Sequence, residues 1–197
     1  MSFVLEQRTL IPIYPKDLTM KSQDILLLLK LLSMEKSQAT DTEPDYSVRQ
    51  LEALTGISKS ELSAALNRCI RVGLAARDRQ SNAPRVNRKA LLGFLLNGIK
   101  YVFPVKPAEL VRGIPTAFAA PVMEGKMMSA GDAINVWPDA TGNAKGQAIA
   151  PLFKSVPAAA KADSKLYELL ALVDAIRIGN ARETELAAKL LEQEFAQ

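Results

Sequence analysis

The chain has 197 residues, of which 48% are apolar and 23% are charged, a composition typical of a globular protein of one or two domains. It contains one cysteine and no histidine, which excludes an intrachain disulfide, a Cys/His zinc site and an imidazole acid-base catalyst. We therefore expect no metal, no cofactor and no enzymatic activity.

No apolar run approaches the roughly 20 residues that a membrane span requires. Residues 1–10 also lack the basic start and apolar middle of a signal peptide. We expect a cytoplasmic protein. Cys69 falls on the apolar side of a predicted helix, which suits a reducing compartment and a packing role.

Charge is distributed unevenly along the chain, whose net charge is +4. Residues 47–100 contain ten Lys and Arg against three Asp and Glu, a net charge of +7, whereas the remainder carries −3. A polyanionic partner is one explanation, because contacts with phosphates release counterions and supply affinity. A solvated basic surface is the other, so the local pattern has to decide between them.

A helix predicted over residues 17–35 carries apolar side chains almost all the way around it. Such a helix is buried on most sides, and we expect it to pack on the following helices and on a second subunit. Residues 38–44 are polar and typical of a loop. A short helix follows over Ser47–Leu54, with Ser47 as its N-cap, and Gly56 supplies the positive φ that the next turn needs.

A second helix is predicted from Ser58 to about Val72. Ser58 as N-cap, with Glu61 three residues later, predicts a capping box. Small polar and basic side chains occupy the side opposite its apolar stripe, and such side chains near a helix N-terminus suit base edges and phosphates in the major groove. A solvated polar face is the alternative. The side chains concerned are Lys59, Ser60, Ser63, Asn67 and Arg71, with Arg68 on the flank.

A basic hairpin is predicted next. Gly73 ends the second helix, and Leu74–Arg79 and Arg85–Val86 are two short strands around a polar turn at residues 80–84. Asn87 then caps a further helix that extends to about Lys100.

This order of elements resembles that of the winged helix-turn-helix transcriptional regulators, most closely the multiple-antibiotic-resistance regulator (MarR) type. The likeness covers residues 20–100 and is carried by Ser47–Leu62, Gly73-Leu74 and Arg77-Asp78-Arg79. It implies a recognition helix over Ser58–Val72 in the major groove of double-stranded DNA and a symmetric dimer. It also implies a wing whose Arg77, Arg79 and Arg85 approach phosphates or the minor groove.

The segment from residue 104 to residue 163 is rich in proline and glycine, and we expect it to be ordered and rich in loops. Residues 112–116 and 136–139 are interpreted as defined turns, and residues 142–146 as a surface turn. Trp137 is expected to anchor a core. An effector pocket or partner surface formed by Arg112, Trp137 and their neighbours is the functional alternative.

A helical hairpin is predicted at the C-terminus, over residues 164–197, with Asn180 capping its second helix and Glu183 completing a capping box. Its apolar stripe either completes the core or pairs with a second copy of the chain. We favour dimerisation, because Leu27–Leu32 also offers more apolar surface than one small domain needs.

The predicted fold class is mainly α: an N-terminal extension over residues 1–16, a winged helix-turn-helix domain over residues 17–103, the Pro/Gly-rich segment, and the C-terminal helical hairpin. The predicted function is a sequence-specific DNA-binding transcriptional regulator acting as a homodimer. A protein-interaction module, such as a DNA-binding antitoxin or a subunit of a complex, is the alternative.

Overall fold

The computed structural model describes residues 19–36, 44–126 and 134–196. Eight α-helices and two small sheets make up these residues, which confirms a mainly α fold. The predicted N-terminal extension over residues 1–16 lies outside them, as does most of the predicted loop over residues 38–44. No helix among them is long and apolar enough to cross a membrane.

Helices and short strands are interspersed along the chain. In chain order they are α1 (Ser22–Lys36), α2 (Val48–Thr55), α3 (Lys59–Arg71), β1 (Ala75–Arg77), β2 (Pro84–Val86), α4 (Arg88–Asn97), α5 (Ile99–Val102), β3 (Leu110–Thr116), β4 (Asn135–Pro138), β5 (Ala144–Ala148), α6 (Val156–Ala162), α7 (Ser164–Ile178) and α8 (Ala181–Ala196). Two short 3₁₀ turns, Ala117–Ala119 and Pro121–Met123, follow β3.

Helix α1 is the centre of the fold, and its residues 23–33 are all buried within a single chain. Helices α3 and α7 and strand β2 pack around it. The leucine run Leu27–Leu32 is therefore covered by the protein's own helices. Our expectation that this run also contacts a second subunit was wrong, because α3, α7 and β2 of the same chain already cover it.

Helices α2 and α3 meet at a tight turn, as predicted. The Ser47 side chain accepts a hydrogen bond from the backbone N–H of Gln50 at 3.2 Å, which caps α2. Gly56 ends α2 in the left-handed conformation, at φ 67°. Ser155, from the loop before α6, donates a hydrogen bond to the backbone oxygen of Thr55 in this turn.

The capping box predicted for α3 does not form. Ser58 occupies the N-cap position but its side chain makes no capping hydrogen bond. Glu61 instead accepts from the Gln23 side chain and from Lys21 Nζ at 3.4 Å. These bonds with Gln23 and Lys21 lower the pKa of Glu61. The carboxylate thus ties α3 to the start of α1 instead of capping its own helix.

Strands β1 and β2 form the predicted antiparallel hairpin, with Ala75 opposite Val86 and Arg77 opposite Pro84. Asn87 caps α4 by accepting from the backbone N–H of Ala90 at 3.2 Å. The predicted helix to Lys100 is broken at Gly98, so that α4 ends at Asn97 and α5 is a separate turn.

A three-stranded sheet replaces the two turns that we predicted at residues 112–116 and 136–139. Strand β3 pairs antiparallel with both β4 and β5, and β4 pairs parallel with β5. Both predicted turns lie largely within strands, and Ile114 is directly opposite Trp137. A Cβ atom on Gly113 would collide with the backbone oxygen of Trp137, so glycine permits this close approach. We read these glycines and prolines as turn signals, and that interpretation was wrong.

Helix α6 was not predicted, and Pro157 in its first turn is tolerated because that position has no intrahelical partner to lose. The C-terminal helical hairpin was predicted and is present as α7 and α8. Asn180 and Glu183 form the predicted reciprocal capping box, with the two hydrogen bonds at 3.1 and 2.9 Å.

One hydrophobic core runs through the described residues, from Ile25 to Phe195. Trp137 is 1% exposed, which confirms its role as a core anchor, and its Nε1 donates to the buried Asp174 at 2.6 Å. Asp174 also accepts from Thr116 Oγ1 and Arg177, and Arg177 Nε donates to the backbone oxygen of Phe103 at 2.9 Å. This network attaches the three-stranded sheet and the end of α5 to α7.

Candidate functional site

The outer side of α3 presents a stripe of polar side chains at spacings of three and four residues, so that they share one helix face. All of its members are exposed. We call this set the α3 stripe; it consists of Ser60, Ser63, Asn67 and Arg71. Four of the residues predicted to contact DNA are thus brought together.

The start of α3 is also exposed. The side-chain oxygens of Ser58 and Ser60 lie 3.4 Å apart, and Lys59 Nζ lies 3.8 Å from a carboxylate oxygen of Glu52. The side-chain oxygen of Ser58 accepts no hydrogen bond from the first backbone N–H groups of α3. A helix N-terminus in this condition attracts anions through its N–H groups and its dipole.

The β1–β2 hairpin presents Arg77 and Arg79, both exposed. Arg77 Nη1 donates to the backbone oxygen of Asn82 across the turn at 3.1 Å. Asp78 accepts from the backbone N–H groups of Ser81 and Gln80 at 2.9 and 3.0 Å, and these bonds lower its pKa. The turn that carries both arginines is therefore cross-linked by its own side chains.

Arg85 lies on the second strand of the hairpin and is half-buried. Its guanidinium lies 5.8 Å from the centroid of the Tyr46 ring, within the range of a cation–π contact. We did not identify Tyr46 from the sequence, where its only distinguishing feature is that it comes just before the N-cap of α2. Arg85 is thus less exposed than Arg77 and Arg79.

A surface groove joins α3 to the hairpin. Ser63 and Asn67 of the α3 stripe line it together with Arg77 and Pro84 of the hairpin. Tyr46, Val48 and four leucines, Leu27, Leu51, Leu62 and Leu66, form its remaining walls. The structure therefore places an amide, a hydroxyl and a guanidinium from two elements along one groove.

Arg68 was predicted to lie on the flank of this face, and that prediction was wrong. Its side chain is 8% exposed and faces α1, where its Nε and Nη2 donate to the two carboxylate oxygens of Asp24 at 2.9 and 2.6 Å. The signal in the sequence was Asp24 itself. An acid at the start of a fully apolar run needs a buried cation as its partner.

Two of the ten bases in residues 47–100 are paired with acids from α1, which lie outside that segment. Arg68 pairs with Asp24, and Arg88 Nη2 lies 3.2 Å from a carboxylate oxygen of Glu35. The Glu35 carboxylate also accepts from the backbone N–H of Val86. These two bases therefore join α3 and α4 to α1.

The other candidate residues do not form a site together. Trp137 is in the core whereas Arg112 is exposed on β3, and among the described residues the groove that Arg112 lines does not include Trp137. Cys69 is buried, and burial raises the pKa of its thiol to about 12, as suits a packing residue. No group of three metal-ligating side chains occurs among the described residues.

A scan against protein-family models, a search of curated proteins and a search of solved structures find no significant match to this chain.

Proposed function

We propose that this protein is a sequence-specific transcriptional regulator that binds double-stranded DNA through a winged helix-turn-helix and acts as a homodimer in the cytoplasm, without enzymatic activity. In this proposal α2 and α3 form the helix-turn-helix, α3 is the recognition helix and the β1–β2 hairpin is the wing. The observation that carries it is the groove that Asn67 and Ser63 of the α3 stripe line together with Arg77 of the hairpin.

The residue types on α3 suit direct readout of base edges. A major groove about 12 Å wide admits one α-helix, and α3, with 13 residues, is about 20 Å long. The Asn67 carboxamide matches the donor and acceptor pair of an adenine edge, and Ser60 and Ser63 have hydroxyl groups that bond to several bases. Arg71, one to two turns further along, extends the same exposed stripe.

Phosphate contacts in this proposal come from the hairpin and from the start of α3. Arg77 and Arg79 are exposed cations on a cross-linked turn, and Ser58 and Lys59 lie at the N-terminus of α3. Contacts of this kind position the protein on the duplex but carry no sequence information. Arg85 contributes less, because its guanidinium is held over Tyr46.

The test is selection of a preferred duplex from a random library, followed by fluorescence anisotropy with that duplex and a scrambled one. Asn67→Ala should weaken binding to the selected duplex by roughly 5- to 150-fold, because one bidentate base contact is worth about 1–3 kcal/mol. Binding to the scrambled duplex should hardly change. Gln193→Ala, which removes an exposed carboxamide from α8, is the matched control.

Two results of this experiment overturn the proposal. One is that no duplex is enriched and none binds at low salt. The other is that Asn67→Ala and Gln193→Ala have the same affinity as the wild type for the selected duplex. Sedimentation of the free protein and of its complex tests the homodimer separately, and a single chain on a single site contradicts that part.

A protein-interaction module is the second candidate function, and exposed apolar side chains favour it. Tyr101 is 73% exposed, Val102 49% and Leu110 59%. Large apolar side chains at this exposure are suited to contact with a partner chain. For this function, Tyr101→Ser with Val102→Ser should release a co-purifying partner, whereas Asn67→Ala should retain it.

A further inference from the structure

A pair of like charges lies on the sheet, away from the face of α3. Arg112 on β3 and Lys145 on β5 are directly opposite each other in the antiparallel register, and both side chains are exposed. Like charges in this arrangement destabilise a sheet. Among the described residues, neither cation has a carboxylate within salt-bridge distance. Within the described part of the chain this repulsion thus has no counter-charge.

Asp139, just after β4, does not compensate this pair. The backbone N–H of Asp139 donates to the backbone oxygen of Arg112, but its carboxylate binds Lys161 Nζ at 2.7 Å and both the N–H and the hydroxyl of Thr141. Lys161 and Thr141 lower the pKa of Asp139 to about 2. Asp139 is therefore ionised and already neutralised by another lysine at neutral pH.

Arg112 and Lys145 line a surface groove together with Asn143, and no acidic residue lines it. Arg112 Nη1 donates to the backbone oxygen of Gly142 at 3.3 Å, which holds one side of the guanidinium in place. The loop lies close to the strand, because a Cβ atom on Gly142 would collide with the backbone of Gly113. This packing fixes Asn143 and Lys145 beside Arg112.

We propose that Arg112, Asn143 and Lys145 form a phosphate-binding site. A guanidinium fork, an ammonium point charge and an amide donor match the oxygens and the negative charge of a phosphate group. The other lining residues, Leu110, Val111 and Ala144, include no aromatic ring on which a base could stack. The site therefore recognises the phosphate itself, carried either by a nucleic-acid backbone or by a small phosphorylated molecule.

This site is separate from the proposed DNA-reading face. Ser155, just before α6, contacts the turn between α2 and α3, whereas Lys161, near the other end of α6, contacts the loop that leads to Lys145. The length of α6, seven residues or about 10 Å, thus separates the two contacts. The inference does not depend on α3 binding DNA.

The first experiment titrates the ¹⁵N-labelled full chain with inorganic pyrophosphate. We expect saturable shifts of the amide signals of residues 110–112 and 143–145, and their loss in Arg112→Ala with Lys145→Ala. Lys126→Ala with Lys154→Ala removes the same charge from exposed positions of the same half of the chain, and it should retain the shifts. Absence of saturable shifts at these residues in the wild type, or equal shifts in both double variants, overturns the proposal.

A second variant separates binding from folding. Lys145→Glu places a carboxylate opposite Arg112, so the melting temperature should stay the same or rise by roughly 1–3 °C while pyrophosphate binding disappears. Retained binding in this folded variant contradicts the site.

The source of the phosphate is decided with a duplex across a salt series. If a nucleic-acid backbone supplies it, Arg112→Ala with Lys145→Ala should lower the slope of log affinity against log salt by about 1–2, and the lysine control should not. If a small molecule supplies it, the slope stays the same while pyrophosphate binding is still lost. Failure of all duplex binding overturns the proposed function of α3 and leaves the pyrophosphate result as the test of this site.

Discussion

Arg68 donates a hydrogen bond to each carboxylate oxygen of Asp24, at 2.9 and 2.6 Å, and this pair joins α3 to α1 inside the protein. The two side chains are 8% and 0% exposed. Their hydrogen bonds raise the pKa of Arg68 further above its usual value, so the guanidinium stays charged. The position of α3, and with it the orientation of the α3 stripe, depends on this contact.

Removal of one member of this pair should destabilise the protein strongly. Asp24→Ala leaves a buried guanidinium without its counter-ion and should lower the free energy of unfolding by about 3–5 kcal/mol. The double variant Asp24→Leu with Arg68→Met should recover much of this lost free energy of unfolding, because no buried charge is left without a partner. Urea unfolding followed by circular dichroism measures both.

The matched control is Glu185→Ala, which breaks the exposed pair with Lys189. Its effect should stay below about 1 kcal/mol, since exposed ion pairs contribute little. If Asp24→Ala lowers the free energy of unfolding by as little as Glu185→Ala does, the role assigned to the buried pair is contradicted.

Local signals predicted the helical half of the fold well. The Ser47 and Asn87 caps, the Gly56 turn and the Asn180–Glu183 capping box are all formed by residues within a few positions of each other. Such contacts can be inferred from spacing alone. The strands of the three-stranded sheet could not be inferred in this way, because β4 and β5 have only four and five residues, and because Gly113 and Pro115 in β3 are residues that strands usually avoid.

The candidate site was predictable only in part, because a helix face can be derived from spacing but its partners cannot. Ser60, Ser63, Asn67 and Arg71 share a face by periodicity. By contrast, the contact of Arg68 with Asp24 joins residues 44 positions apart. The capping box of α3 failed for the same reason, since Gln23 and Lys21 of another helix bind the Glu61 carboxylate.

Arg79 of the hairpin should contribute affinity without specificity. Arg79→Ala should weaken binding to the selected and to the scrambled duplex by the same factor. It should also lower the slope of log affinity against log salt by about 1, because one phosphate contact is lost. Anisotropy titrations at several salt concentrations measure this slope. Arg182→Ala on α8 removes the same charge from an exposed position outside the hairpin and should leave the slope unchanged. A loss confined to the selected duplex contradicts a phosphate role for Arg79.

The turn between α2 and α3 should tolerate a methyl group poorly at Gly56. Its φ is 67°, and a Cβ atom there would lie 2.7 Å from Cβ of Ser155. Gly56→Ala should lower the free energy of unfolding by about 2–5 kcal/mol, from left-handed backbone strain and from overpacking. Thermal and urea unfolding measure the loss.

Gly73 is the control for backbone strain alone. It has a φ of 77°, but a Cβ atom there would have no neighbour within 4 Å, so Gly73→Ala should cost only about 1–2 kcal/mol. Ser155→Gly should recover part of the loss in Gly56→Ala and none of it in Gly73→Ala. Equal losses for the two glycine variants, with no recovery, contradict the contact between α6 and the turn.

The bond between Asp139 and Lys161 should make stability depend on pH in the acid range. Lys161 and Thr141 lower the pKa of Asp139 to about 2, whereas the same carboxyl group has its ordinary value of 3.8 in the unfolded chain. The unfolded chain thus takes up the proton first as the pH falls. The stabilisation from this carboxylate is complete above about pH 5 and decreases as the pH falls from there through 2.

Lys161→Ala measures this contribution. The difference in melting temperature between the wild type and Lys161→Ala should be constant from pH 7 to about pH 5 and should become smaller toward pH 2. A ¹³C titration of the Asp139 carboxyl group should place its pKa well below 3.8 in the wild type and closer to that value in Lys161→Ala. Lys154→Ala, an exposed lysine on the loop before α6, should leave the titration of Asp139 unchanged. A wild-type Asp139 that titrates near 3.8 contradicts the prediction, and it also removes one reason why Arg112 and Lys145 lack a counter-charge.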